Sequence, residues 1–123
     1  MPEGDAVWRT ARRLHSALAG QVVLRSDLRV PSLATVDLAG RRTIEVVPKG
    51  KHILHRFEGD LTLHSHLRMD GRWRTLRAGA ATAKKTNDDH NVRAVLVTHL
   101  SAAVGTQLGM LDLVRTSNEA SIV

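Results

Sequence analysis

Cysteine is absent from the 123 residues, and aromatic rings number three: Trp8, Phe57 and Trp73. The missing thiols exclude a disulfide framework and a thiolate zinc site within these residues, and they fit a reducing intracellular compartment. Three rings, at least one of them needed for a core, exclude the stacking platforms with which recognition-motif and oligonucleotide-binding folds read unpaired bases. Long apolar runs are missing too. The first fifteen residues carry Glu3, Asp5, Arg9, Arg12 and Arg13, which leaves no signal-peptide core, and no uncharged run approaches membrane-spanning length. The sequence therefore predicts a soluble, cytoplasmic protein with no membrane partner.

What is present suffices for one domain. A chain of this size buries about two thirds of its unfolded surface, and with so few rings the core must come from Leu, Val and Ala. Eighteen Lys and Arg against twelve Asp and Glu give a formal charge of +6 and a pI near 11.0. Such a field concentrates phosphates around the molecule. The excess is uneven: residues 41–77 hold nine cations (Arg41, Arg42, Lys49, Lys51, Arg56, Arg68, Arg72, Arg74, Arg77) and four acids. That stretch suggests a phosphate backbone as partner, against the plainer reading of solvated strand faces.

Val7, Ala11, Leu14 and Leu18 recur at helical spacing while Arg9, Arg12, Arg13 and Ser16 face away, which predicts a helix over 5–19 with Asp5 as cap and Gly20 as stop. Thereafter the period falls to two, with strands expected at about 22–30, 43–47, 52–57, 61–67, 72–77, 92–100 and 102–111. Pro48-Lys49-Gly50, Glu58-Gly59-Asp60 and Met69-Asp70-Gly71 read as hairpin turns. A mainly β fold follows, an antiparallel sandwich with flanking α structure in the form of one N-terminal helix. The stretch 78–91 is small and polar without periodicity, and reads as a mobile loop. The closing SNEASIV carries no stop signal and reads as the edge of a piece rather than a natural finish.

Three segments carry chemistry. Removal of Met1 ahead of the small Pro2 would leave a secondary amine. A free α-amino group has a pKa of about 8, and attack on a sugar C1′ gives an iminium that acidifies the neighbouring carbon. Proline is equally at home in the first turn of a helix, and Glu3 beside it is favoured there by the backbone dipole. In Val47-Pro48-Lys49-Gly50-Lys51-His52-Ile53-Leu54 a turn projects two ammonium groups, fit to bind phosphate or pass a proton, or simply to be solvated. In Leu61-Thr62-Leu63-His64-Ser65-His66-Leu67-Arg68-Met69-Asp70-Gly71-Arg72-Trp73, His64 and His66 share a strand face. That spacing would suit a metal, but no third ligand is close in sequence and the surroundings are cationic, so no metal is assigned. Met69 at an expected turn is either core filling or an apolar wedge for a base stack.

Taken together, MPEG at the start, GKHIL, LTLHSHLRMDGRW and the weaker VGTQLGMLDLV resemble the formamidopyrimidine-DNA glycosylase and endonuclease VIII family, nearer the endonuclease VIII branch. The resemblance covers the whole chain and corresponds to the N-terminal half of a family member, so residues 1–123 are expected to form the N-terminal catalytic domain, with the helix carrying the catalytic terminus. It implies base-excision repair: a bifunctional glycosylase and abasic-site lyase for oxidised bases, working through a Schiff base. It further implies Pro2 as nucleophile, Glu3 as acid and Lys51 as the hairpin lysine that contacts phosphate and assists catalysis. His66 becomes a phosphate contact, with Lys49 and Arg68 also facing DNA, and Met69 fills the gap left by an everted base. Eversion is required because chemistry at C1′ cannot proceed within the stack.

Two departures stand out. Ala6 occupies a position where the family often carries a second glutamate, with Asp5 beside it. Arg68-Met69-Asp70 replaces the Gln-Leu-Tyr wedge common in the endonuclease VIII branch. The helix–two-turn–helix and zinc finger of the family's C-terminal half have no counterpart in these residues. No cofactor is therefore expected in this chain, structural zinc belonging to that other half. The implied partner is damaged DNA, double- or single-stranded, bound by a monomer. Two other classes compete: a basic, non-catalytic module for DNA or protein binding, and a metal hydrolase built on His64 and His66.

Overall fold

A stripe of four apolar side chains at helical spacing needs a complementary surface, and here that surface is the open flank between two sheets. The computed structural model describes residues 2–67, 71–77 and 91–117, with side chains from Asp5 onward. Its helix α1 spans Pro2–Leu18 and buries Val7, Ala11, Leu14 and Leu18 to 1% exposure or less. The helix begins three residues earlier than the sequence suggests. Asp5 thus lies within it and pairs with Arg9 at 3.1 Å, one turn on, instead of capping. At the other end Gly20 adopts φ +80, a left-handed conformation that costs glycine little, and donates its N–H to the Thr43 carbonyl at 2.8 Å.

The strands are β1 (Arg25–Leu28), β2 (Thr43–Lys49), β3 (His52–Phe57), β4 (Leu61–His66), β5 (Arg72–Arg77), β6 (Val92–Val97), β7 (Ser101–Thr106) and β8 (Met110–Arg115), with a short 3-10 turn at Pro31–Leu33. They form two four-stranded sheets, ordered β1-β6-β7-β5 and β2-β3-β4-β8, and every strand pairing is antiparallel. The expected mainly β sandwich with one N-terminal helix is the observed fold. Its core joins the helix stripe to Val46, Ile53, Phe57, Leu63 and Leu111 of one sheet and Trp73, Ala94, Leu96 and Ala103 of the other.

Helix α1 lies mainly along β2 and reaches β5, so it closes the flank between two edge strands. Arg13 donates to the Trp73 carbonyl at 2.9 Å and Ser101 Oγ to the Ala17 carbonyl at 3.1 Å. His15 Nδ1 accepts the Val46 N–H at 3.2 Å, occupying an amide that an edge strand would otherwise expose.

Four expectations are corrected. Pro48 and Lys49 belong to β2, and the turn is confined to Gly50 and Lys51. The strand expected at 22–30 contracts to Arg25–Leu28, with a single bridge at Val22. The stretch 102–111 is two strands in different sheets, because Gln107 takes φ +49 and turns the chain from β7 into β8. β4 and β5, on either side of Met69-Asp70-Gly71, also lie in different sheets and are not paired with each other, so the hairpin expected there does not form between them. Arg68, Met69 and Asp70 themselves fall outside the described residues, as does 78–90 of the loop expected at 78–91.

Candidate active site

The direction of α1 over β2 organises the site. Gly20 bonds Thr43, and His15 bonds Val46. Moving back along the helix therefore means moving forward along the strand, and the helix start at Pro2 runs toward the end of the sheet where β2 turns into β3. Gly50 and Lys51 form that turn, Gly50 at φ +59 and Lys51 exposed.

Register places the other groups at the same end. The turn at 50–51 sets Lys49 opposite His52, the loop at 58–60 sets His52 opposite His66, and β8 sets Met110 opposite His66. Cross-strand partners share a sheet face, so Lys49, His52, His66 and Met110 form one rung. Their face is turned away from the side that supplies Val46, Ile53 and Leu63 to the core. Leu67 follows His66 directly. Gly109 N–H donates to the His66 carbonyl at 2.9 Å, tying the β7–β8 turn to it.

Of the residues proposed from sequence, the structure thus brings Lys49, Lys51 and His66 to one end, toward which the Pro2 end of α1 runs. The side chains of Pro2 and Glu3, and all of Arg68 and Met69, are outside what is described. The basic stretch 41–77 does not form one patch, because the chain changes sheet after β4. Arg42 pairs with Glu58 at 3.6 Å and Arg56 with Glu45 at 2.7 Å at the opposite end of the sheet, while Arg72, Arg74 and Arg77 sit on β5.

His64 is 3% exposed, and its Nε2 is hydrogen-bonded to His52 Nδ1 at 2.6 Å. The His52 ring also meets His66 edge-on, centroids 4.9 Å apart. Burial holds His52 below its ordinary pKa, helped by His66 and Lys49. Burial likewise lowers His64, with His52 and His66 adding to the effect while the Asp112 carboxylate opposes it. Among the described residues, no group of three or more metal-ligating side chains is arranged to hold an ion. Ser65, between the two histidines in sequence, points to the opposite face and accepts the Trp73 indole N–H at 3.1 Å, which fastens one sheet to the other.

His52 is the member of this cluster that motif reading passed over. Its signal was in the sequence: a loop centred on Gly59 pairs residues whose numbers sum to 118, which puts His52 across from His66.

These elements are those of a known family. Residues 1–116 match the formamidopyrimidine-DNA glycosylase N-terminal domain, and the chain belongs to that family. Among curated relatives, "Probable endonuclease 8 2" of Streptomyces coelicolor is 53% identical over 123 residues, covering all of this chain and 44% of that protein. "DNA-(apurinic or apyrimidinic site) lyase Nei2" of Mycolicibacterium smegmatis is 41% identical over 123 residues, covering all of this chain and 46% of its own length. The Lactococcus lactis Fpg (MutM) in complex with DNA containing N7-benzyl-Fapy-dG shares the fold, with a TM-score of 0.77 at 18% identity over 95% of this chain and 45% of that one. The chain thus spans somewhat under half the length of the relatives it matches.

Proposed function

We propose that this chain provides the nucleophile-bearing half of a base-excision-repair enzyme, a DNA glycosylase with abasic-site lyase activity on oxidised bases. The observation that carries this reading is the convergence of the Pro2 end of α1 with Lys49, Lys51 and His66. A secondary amine that runs toward a cationic sheet end is suited to attack a sugar whose flanking phosphates those side chains hold. The names of the relatives support the same reading.

In this mechanism the Pro2 nitrogen forms a bond to C1′ as the N-glycosidic bond breaks, and its electron pair leaves with the base, whose departure Glu3 assists as an acid. The amine gives up its own proton, and its lone pair then expels O4′: the C1′–O4′ bond breaks, O4′ takes up a proton as a hydroxyl, and the opened sugar is held as a C1′ iminium. That cation draws off the C2′ electrons: a proton leaves C2′, a C1′–C2′ enamine forms, and expulsion of the 3′ phosphate breaks the C3′–O bond. Lys51 contacts phosphate and assists these proton transfers. Met69 occupies the space of the everted nucleotide, offsetting an unstacking cost of a few kcal/mol.

The test is borohydride trapping on single-stranded DNA with an abasic site, using protein whose terminus is verified as Pro2. A covalent adduct is expected. Pro2→Gly, or an extra residue ahead of Pro2, should abolish it with circular dichroism unchanged. Undiminished trapping with a blocked terminus would reject Pro2 as nucleophile, and absence of any adduct from the Pro2 form would favour the non-catalytic module.

A further inference from the structure

His52 stands between two different neighbours. On one side its Nδ1 is fixed by buried His64, and on the other its ring abuts His66 in a rung that also contains Lys49. An imidazole has two nitrogens, and the His64 hydrogen bond occupies one. Nε2 is the nitrogen left for a ligand.

We propose that His52 is a second phosphate-contacting histidine of this sheet end, binding the DNA backbone through Nε2 beside His66, with His64 as the positioning residue that holds its ring. The proposal rests on the reading of this end as the one that faces DNA. Among the described residues, the charged and titratable groups around His52 are these. Strand β2 contributes Lys49 directly opposite and Glu45 farther along, the latter paired with Arg56 of β3 at 2.7 Å. The turn contributes Lys51, β4 contributes His64 and His66, and β8 contributes Asp112 opposite His64. Among the described residues, the carboxylate nearest the triad thus faces the buried histidine, leaving the half-exposed rings on the cationic side, where an anion would be received.

This placement has a consequence for protons. Burial, His66 and Lys49 all keep His52 neutral near pH 7. An arriving phosphate reverses the sign of the local field and favours the imidazolium, which then donates Nε2–H to the oxygen. Binding therefore takes up a proton, and affinity rises as pH falls through the interval between the lowered pKa of the free protein and the raised one of the complex.

The experiment follows the His52 imidazole by NMR while titrating pH, first with inorganic phosphate and then with a duplex containing a tetrahydrofuran abasic analogue. Fluorescence anisotropy gives duplex affinity in parallel from pH 5.5 to 8.5 at constant salt. Both ligands should raise the His52 midpoint. Loss of a hydrogen bond between charged groups predicts that His52→Gln binds the duplex about tenfold more weakly at pH 6 and less than about twofold more weakly at pH 8. His52→Arg, with a permanent cation, should restore affinity at pH 8 and flatten the pH profile, a rescue that a purely structural role would not show. A midpoint unmoved by the duplex, with His52→Gln retaining the parental pH slope, would overturn the proposal, and a response to free phosphate alone would overturn its assignment to DNA. Failure of trapping at Pro2 alongside an intact His52 response would remove the catalytic reading and leave the phosphate contact standing.

Discussion

His55 is buried against Phe57, ring centroids 4.2 Å apart, and its Nε2 is hydrogen-bonded to Thr43 Oγ1 at 2.8 Å. Burial lowers its pKa from 6.5 to about 3. Between those values the unfolded chain binds a proton that the folded chain refuses. The stability this neutral side chain contributes is therefore whole above pH 6.5 and is lost as pH falls toward about 3, at about 1.4 kcal/mol per pH unit. Urea melts of His55→Gln, which retains a partner for Thr43, should show a shallower acid slope than the parent. His52 and His64, shifted in the same direction, leave some slope behind. An identical slope would mean that His55 is not the group responsible. A second residue-scale prediction concerns Gly71, the glycine that ends the Met69 segment. A Cβ there would overlap the Leu67 carbonyl oxygen and lie 2.9 Å from the Leu67 Cα. That is backbone, which cannot swing aside as a side chain can. Gly71→Ala should therefore displace the crossing and cost on the order of 1–3 kcal/mol. It should also reduce excision of a damaged base more than cleavage at an abasic site, as side-by-side assays of the two substrates would show.

At the scale of elements, the helix and the hairpins β2–β3 and β3–β4 were legible because each is specified locally, the helix by its stripe and glycine stop and the hairpins by turns that fix register. The crossings were not. Alternation around 102–111 is unbroken in sequence, and only the left-handed φ at Gln107, a residue that does not announce one, divides it between sheets. Met69-Asp70-Gly71 has hairpin composition, but β4 and β5 on either side of it find their partners in different sheets. The same limit misled the reading of charge. Of the nine cations close in sequence, those described are separated by the change of sheet after β4, and the sheet end toward which the Pro2 end of α1 runs retains Lys49 and Lys51. The hairpin tip then makes a separable prediction. Lys51→Ala should weaken DNA binding uniformly across substrates and lower the salt slope by about 0.9, one phosphate's worth. Met69→Ala should spare the salt slope and affect damaged bases most. A Met69 variant with an altered salt slope and uniform losses would erase the distinction between anchor and wedge.

For the whole molecule, the decisive quantity is how many phosphates it grips. The chain covers 44% and 46% of the lengths of the two relatives compared above, and the sheet end offers three described side chains that the sequence reading assigns to phosphate or DNA: Lys49, Lys51 and His66. Three contacts give a salt slope of about −2.7, hence about a 40-fold loss of affinity between 50 and 200 mM salt, whereas six contacts would give about a thousandfold loss from a much tighter starting point. Duplex DNA must also be unstacked before C1′ is reachable, at a few kcal/mol, and a weak grip leaves little binding energy to offset that. Single-stranded abasic DNA carries no such cost. We therefore expect this chain, with a verified Pro2 terminus at low salt, to trap single-stranded abasic DNA while excising little from a damaged duplex. A polypeptide extended to the relatives' length should do both, with a steeper salt dependence. Equal excision rates on the damaged duplex would show that the grip at this sheet end suffices by itself, and the argument that unstacking demands contacts from a second half would have to be given up.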